Sequence, residues 1–215
     1  MGVTHSQLQQ FPLIPTLWDQ KRPILLLDRG QEWHNDRREK AVQTVAHLQK
    51  SIPEQILAVA SRAPFASGRT NWKVAVVRDP AVIARLAAQV RAGAEALAAR
   101  MEDEEAAPLF RRYAQSFTFF ETAPVLFVPY CRETSTMKSM LRENATEDIL
   151  AWEHDNLTKS LSCVAMMILL AAESLGLGAC YMTGPLLADK ALRETLGLRE
   201  YFLPGAVIPV GRKAL

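Results

Sequence analysis

Apolar positions recur at helical spacing in several stretches of the chain. Ile56, Leu57, Val59 and Ala60 form one short face, and Ser51-Ile52-Pro53-Glu54 ahead of them has the form of a capping box with proline in the first turn. Asp79-Pro80 repeats that start signal, and Val82, Leu86, Val90 and Leu97 carry a longer helix. Residues 36–49 read as a charged helix with Val42, Val45 and Leu48 on one side. Residues 108–120 read as another, bearing Phe110, Tyr113, Phe117, Phe119 and Phe120. Residues 155–175 place Leu157, Leu161, Val164, Ile168, Ala171 and Leu175 on one face, and their other faces are apolar too. That pattern predicts a central helix, closed by Gly176 as a left-handed cap.

Short continuous apolar runs predict buried strands at 74–77, 125–128, 179–182 and 206–210. Thr183-Gly184-Pro185 turns out of the third, and Asp189 caps a short helix closed by Gly197. Residues 134–147 are polar and irregular, the composition of a mobile loop. Residues 1–35, broken by Pro12, Pro15 and Pro23, predict an N-terminal arm ahead of one domain over 36–215. Strands separated by helical segments give an α/β or α+β fold. Between the first helix and the first strand, Ala66, Ser67, Gly68, Arg69, Thr70 and Asn71 are small or polar. Such a turn is either an ordinary connection or a place where backbone N–H groups meet the polar rim of a cofactor.

Composition narrows the function classes. The 215 residues are 49% hydrophobic with a net charge of +2, and the basic residues form no stripe. Nucleic acid is therefore not the expected partner. Three cysteines without C-x-x-C spacing fit reduced thiols rather than a disulfide framework or zinc, and no metal site is expected. With no charged-then-apolar leader and no apolar run of membrane length, the chain reads as cytoplasmic, without a membrane partner.

The constellations of hydrolases, metalloproteases and P-loop enzymes are missing, and Gly176-x-Gly178 follows a helix rather than a strand. The four histidines are scattered. A redox protein of this composition has to borrow its chemistry from a cofactor.

Three segments, in this order, carry a resemblance. Ala63-Pro64-Phe65-Ala66-Ser67-Gly68-Arg69-Thr70-Asn71-Trp72 resembles an A-P-S-x-x-N-x-Q-P-W loop that precedes a hydrophobic strand. Leu169-Leu170-Ala171-Ala172-Glu173-Ser174-Leu175-Gly176-Leu177-Gly178-Ala179-Cys180 is similar to an L-L-A-A-x-x-L-G-L-G helix and strand. Leu196-Gly197-Leu198 with Ile208-Pro209-Val210-Gly211 looks like an L-G-L-P … I-P-L-G ending. Together they resemble the nitroreductase-like family of FMN-dependent oxidoreductases over roughly residues 43–212.

The resemblance implies an α+β nitroreductase-like fold, with a mixed, mostly antiparallel central sheet wrapped by helices, in a homodimer whose two protomers build each flavin pocket. It implies an enzyme that passes electrons from NAD(P)H through FMN to a nitro, quinone or similar small acceptor in a ping-pong cycle. Pro64, Phe65, Ala66 and Ser67 match the loop along the flavin ring, and Thr183 and Gly184 the turn that reaches its N5. Gly211 and Arg212 match the strand end near the phosphate. The family's Arg-Arg-Ser-x-Arg phosphate element falls on Ala41-Val42-Gln43-Thr44-Val45 here, without an arginine. Arg37, Arg38, Arg69, Arg212 and Lys213 remain as candidate phosphate partners, Arg212 first and Arg69 second. Phe117, Phe119, Phe120 and Trp152 are candidates for the wall that the acceptor meets. The alternative is a member without FMN, a binding or sensing dimer or a holder of another planar cofactor such as haem, with His47, His154 or a cysteine as axial ligand.

Overall fold

The computed structural model describes residues 51–66, 71–133 and 136–212. The first helix, α1 (Ile52–Ala60), starts where the capping box predicts. The Ser51 backbone N–H and hydroxyl both donate to Glu54 Oε2 at 2.9 Å, and Pro53 sits in the first turn. Strand β1 (Trp72–Val77) follows, then α2 (Pro80–Ala98), whose first turn is closed by Asp79 accepting from the Ala81 N–H at 2.8 Å. Next come α3 (Ala106–Ala114), a 3₁₀ segment (Gln115–Thr122) and β2 (Val125–Arg132). A short helix α4 (Thr136–Leu141) leads into the long α5 (Glu147–Ser174), and β3 (Leu177–Ala179) runs out of it. A 3₁₀ turn (Gly184–Ala188), α6 (Asp189–Leu196), β4 (Phe202–Pro204) and β5 (Ile208–Arg212) complete the order.

The sheet runs β1-β2-β5-β3, with β4 paired to the far end of β2, and every described pairing is antiparallel. Strand β2 is buried on both faces, which is why it reads as an unbroken apolar run. Phe127 points to the α1–α5 side, and Leu126 and Val128 point to the side of α2 and the 3₁₀ segment. The result is the predicted α+β architecture, a helix layer on each face of an antiparallel sheet.

Several predicted elements differ in extent. The 108–120 helix is α-helical only to Ala114 and then tightens to 3₁₀. Residues three apart eclipse in a 3₁₀ turn, so Phe117 and Phe120 both bury while Phe119 faces solvent. Of the polar 134–147 stretch, residues 136–144 are helical, Glu153 accepting from the Thr136 and Met137 N–H groups at 2.9 and 3.2 Å. That cap comes from α5 and leaves no local signal. Helix α5 begins at Glu147, eight residues before the predicted start. The third strand lies earlier than predicted, Met182 making only a bridge to Val207, and β4 is an addition. Asp189 is the first helical residue rather than the cap, and it pairs with Arg193 one turn on. Gly176 and Gly197 take positive φ, 72° and 65°, as their capping positions require.

By length and composition α5 alone among the described residues is apolar enough to cross a membrane, yet it lies across the sheet as the central helix. The predicted arm and the 36–49 helix lie outside the described residues.

Candidate functional site

The loop leaving α1 is fixed to the middle of α5. Pro64 is exposed. Phe65 turns inward, half-buried, and shares with Trp72 and Leu203 a small cluster around Cys131, Leu157 and Leu161. The Ala66 N–H donates to Ser160 Oγ at 3.0 Å, and Ser160 Oγ donates to the Asn156 carbonyl at 2.7 Å. Ser160 is the only polar side chain buried among the described residues. Sequence reading missed it, although a serine among Leu157, Leu161 and Val164 on the core face was a visible signal, since a buried hydroxyl requires a partner.

Two buried polar atoms flank the segment 67–70 without a hydrogen-bond partner among the described residues: Arg62 Nε before it and Asn71 Oδ1 after it. One is a donor and the other an acceptor, so the loop presents both kinds of unspent polar group. Ser67 and Arg69, two of the predicted site residues, lie outside the described residues.

The second predicted element is held from the other side. Met182 and Val207 exchange backbone hydrogen bonds at 3.1 and 2.9 Å, which sets the turn that follows. The Thr183 carbonyl accepts from the Leu186 N–H at 2.9 Å, and its exposed hydroxyl has no partner among the described residues. Gly184 lies against the Phe117 ring, where an ideal Cβ would stand 2.6 Å from Cγ. No side chain fits there without displacing the ring, itself held edge-on by Phe110 and Tyr113. Tyr181, two residues before Thr183, places its hydroxyl 3.3 Å from Ser162 Oγ on α5.

Helix α5 therefore receives the loop at Ser160 and the turn near Ser162. At about 100° per residue these two positions lie on different flanks of the helix. Between them runs a stripe made by Lys159, Cys163, Met166 and Leu170, all exposed, with Met166 at 53% and Leu170 at 47%. The opposite stripe, Leu161, Val164, Ile168, Ala171 and Ala172, is core. Only half of the sequence-level picture holds: α5 is apolar all round, but one apolar side is left open.

Gly211 and Arg212 stand apart from this centre. They end β5, opposite Gly178 and Leu177, by the C-terminal end of α5, and Arg212 is exposed. Five strand residues separate Val207, beside the Thr183 turn, from Arg212, a distance of about 16 Å. Of the aromatic candidates, Phe117 and Phe120 are core, whereas Phe119 and Trp152 are exposed. His154 is half exposed, its Nδ1 2.8 Å from Glu133 Oε1, and His47 lies outside the described residues. Burial, with Glu133 nearby, pushes the Cys131 thiol up to about 12, while Cys163 and Cys180 are free and exposed.

Comparison with known proteins gives this arrangement a context. The model of the Nitroreductase family matches residues 46–212. A BluB-like flavoprotein from Clostridium difficile 630 superposes with a TM-score of 0.65 at 18% identity, covering 86% of this chain and 91% of that one. A nitroreductase with bound FMN from Desulfitobacterium hafniense DCB-2 gives 0.55 at 20% identity, over 78% and 81% of the two chains. NfrA1 nitroreductase from B. subtilis gives 0.54 at 19%, over 78% and 60%. The structural likenesses establish the fold, and the family match spans more than half of the sequence. This chain belongs to the nitroreductase family.

Proposed function

We propose that the protein is a homodimeric, cytoplasmic flavin oxidoreductase that binds FMN beside the exposed stripe of α5 and passes electrons from NAD(P)H to a small nitro, quinone or related acceptor. The observation that carries this reading is the open apolar stripe at Cys163, Met166 and Leu170, flanked by the Ala66 loop and the Thr183 turn. A planar ring needs an apolar bed and polar groups at its rim. The loop supplies the unspent Arg62 Nε and Asn71 Oδ1, and the turn supplies the Thr183 hydroxyl. These donors and acceptors fit a flavin, and solved relatives are described as a flavoprotein and as a nitroreductase with bound FMN.

In this reading Pro64, Phe65, Ala66 and Ser67 lie along the ring and keep water from one side of it. Thr183 and Gly184 present a hydroxyl and backbone N–H groups to the ring nitrogen whose protonation accompanies electron transfer. Gly184 is there because Phe117 leaves no room for a side chain. Arg212, beyond Gly211, offers its planar fork to the phosphate, with Arg69 as a second donor. Bound FMN supplies two-electron chemistry to which donor and acceptor come in turn, so the chain needs no acid–base residue of its own. Exposed Phe119 and Trp152 are the aromatic surfaces left to meet the acceptor.

The test is the absorbance of freshly purified protein, followed by FMN titration and anaerobic NAD(P)H addition. A flavin spectrum bleached by the nicotinamide and restored by a quinone is the expected result. A protein that neither carries nor takes up FMN overturns the reading, and a haem spectrum would replace it with the alternative cofactor.

A further inference from the structure

Two guanidinium groups converge on one phenol at the far end of β2. The Arg132 Cζ lies 5.2 Å from the centroid of the Tyr201 ring and the Arg199 Cζ 5.9 Å, and Arg199 Nη1 donates to Tyr201 Oη at 3.0 Å. Energetically significant cation–π contacts occur about once per 70–80 residues, so two on a single ring concentrate positive charge. Among the described residues neither arginine has a carboxylate partner, whereas Arg91, Arg111 and Arg193 are each paired. The neighbouring acid Glu133 is turned to His154 at 2.8 Å.

The pair is held on a firm base. The Glu133 N–H donates to the Tyr201 carbonyl at 2.8 Å, and Arg132 stands in register with Phe202. Phe202 in turn packs its ring against Tyr130 and Tyr201, with centroids 5.2 and 4.8 Å away. The pair also stands beside the candidate site, because the Arg132 N–H donates to the Asn71 carbonyl at 3.1 Å, immediately after the segment 67–70.

We propose that Arg132 and Arg199, gathered on Tyr201, form a phosphate-binding subsite for a nucleotide that enters the flavin site. The proposal rests on the flavin reading for its occupant, and on the geometry alone for its chemistry. Planar guanidinium forks take phosphate oxygens two at a time; both groups are exposed, the Arg132 fork has no hydrogen-bond partner among the described residues, and Arg199 commits only Nη1, to Tyr201 Oη. The phosphate has two sources, the nicotinamide dinucleotide donor and FMN itself; Arg132 lies at the opposite end of β2 from Arg212, so the second source would take the FMN phosphate away from Arg212.

The experiment measures four affinities, for wild type and for an Arg132→Gln/Arg199→Gln double variant. By calorimetry, 2′,5′-ADP is compared with adenosine; by fluorescence, FMN with riboflavin. A tenfold or greater loss for 2′,5′-ADP with adenosine unchanged supports the subsite and assigns it to the donor. The same loss for FMN with riboflavin unchanged supports it and assigns it to the cofactor. Equal affinities in both proteins for both phosphorylated ligands overturn the proposal, as does an equal loss for the phosphate-free partners. Tyr201→Phe, which keeps the ring and releases only the Arg199 contact, should produce a smaller loss in the same arm. Were the flavin reading to fail, FMN and riboflavin would both go unbound, while the 2′,5′-ADP titration would still report on the arginines.

Discussion

Helices α2 and α5 lie on opposite faces of the same sheet, and their outer sides are finished differently. The outer side of α2 carries Arg85, Arg91 and Glu95, and two of these are tied into the next layer. Arg91 meets Glu121 at 2.8 Å, and Glu95 meets Arg111 at 2.6 Å. The outer side of α5 carries Cys163, Met166 and Leu170, with nothing among the described residues laid over them. A monomer gains nothing from an open apolar stripe on its longest helix, and a protein that pairs two copies through it does. The α2 face is built to meet water. The α5 face, in the proposed dimer, is the one that a second copy covers.

The largest effect should come from charging the open stripe. Met166→Glu/Leu170→Glu places four half-exposed positions of a twofold dimer in opposition, a loss on the order of 3–6 kcal/mol or two to four decades in dimer Kd. Light scattering at micromolar concentration should show a dimer for wild type and a monomer for the variant. Thiol labelling sharpens the result: Cys163 should react slowly in wild type and quickly in the variant, while Cys131, buried and with its thiol pushed up to about 12, should stay unlabelled in both at neutral pH. A monomeric wild type, or fast labelling of Cys163 in it, would remove the contrast between the two helices.

Next in size is the Thr183 turn. Gly184→Val drives a side chain into the Phe117 ring on the α2 face, an overpacking cost of about 1–3 kcal/mol. Urea unfolding should move by that amount, and flavin affinity should fall with it because the displaced turn carries Thr183. Unchanged stability would mean that Phe117 has room to yield.

How much of this could be read from sequence depended on where each signal lay. Capping residues, the strand runs and Gly176 are local devices, and Ser51, Asp79 and the 125–128 run duly mark element starts. The order of three short motifs was enough to place the chain in its family. The 3₁₀ turn at Gln115–Thr122 and α4 were not legible, since one is set by where two rings can bury and the other by Glu153 from a distant helix. The candidate site divides in the same way. The loop and the turn were visible as motifs, but Ser160 and Phe117, which hold them, act across 94 and 67 positions of sequence. Periodicity made α5 apolar on all sides, and it carries no information about which side another element of the same chain will cover.

Ser160→Ala tests the loop on the α5 side. It strands the Ala66 N–H, a cost of about 1–3 kcal/mol. At about 2–4 °C per kcal/mol for a chain of this size, the melting temperature should fall by several degrees. Hydrogen exchange at the Ala66 amide should accelerate while amides in β2 keep their protection. Exchange that stays slow at Ala66 would show the loop to be held by something other than Ser160.

The smallest effect belongs to the α2 rim, and it runs opposite to that of the α5 stripe. A side-chain hydrogen bond from Arg111 holds the Glu95 carboxyl below its ordinary value of 4.5, and Arg91 does the same for Glu121. A carboxylate with a depressed folded-state pKa contributes stability that is present above the unfolded value and lost as pH falls through the folded one. Both groups are exposed to solvent, so the contribution is minor. Comparing wild type with Glu95→Gln/Glu121→Gln, a slight melting advantage for wild type at pH 7 in low salt should disappear well below pH 4.5. It should also shrink in 1 M salt, where screening reaches within about 3 Å. Dimerisation through α5 should persist in that salt, because burial of apolar area does not depend on the ionic atmosphere. An ion-pair rim that ignores salt, or a dimer that dissolves in it, would mean that the two faces had been assigned the wrong way round.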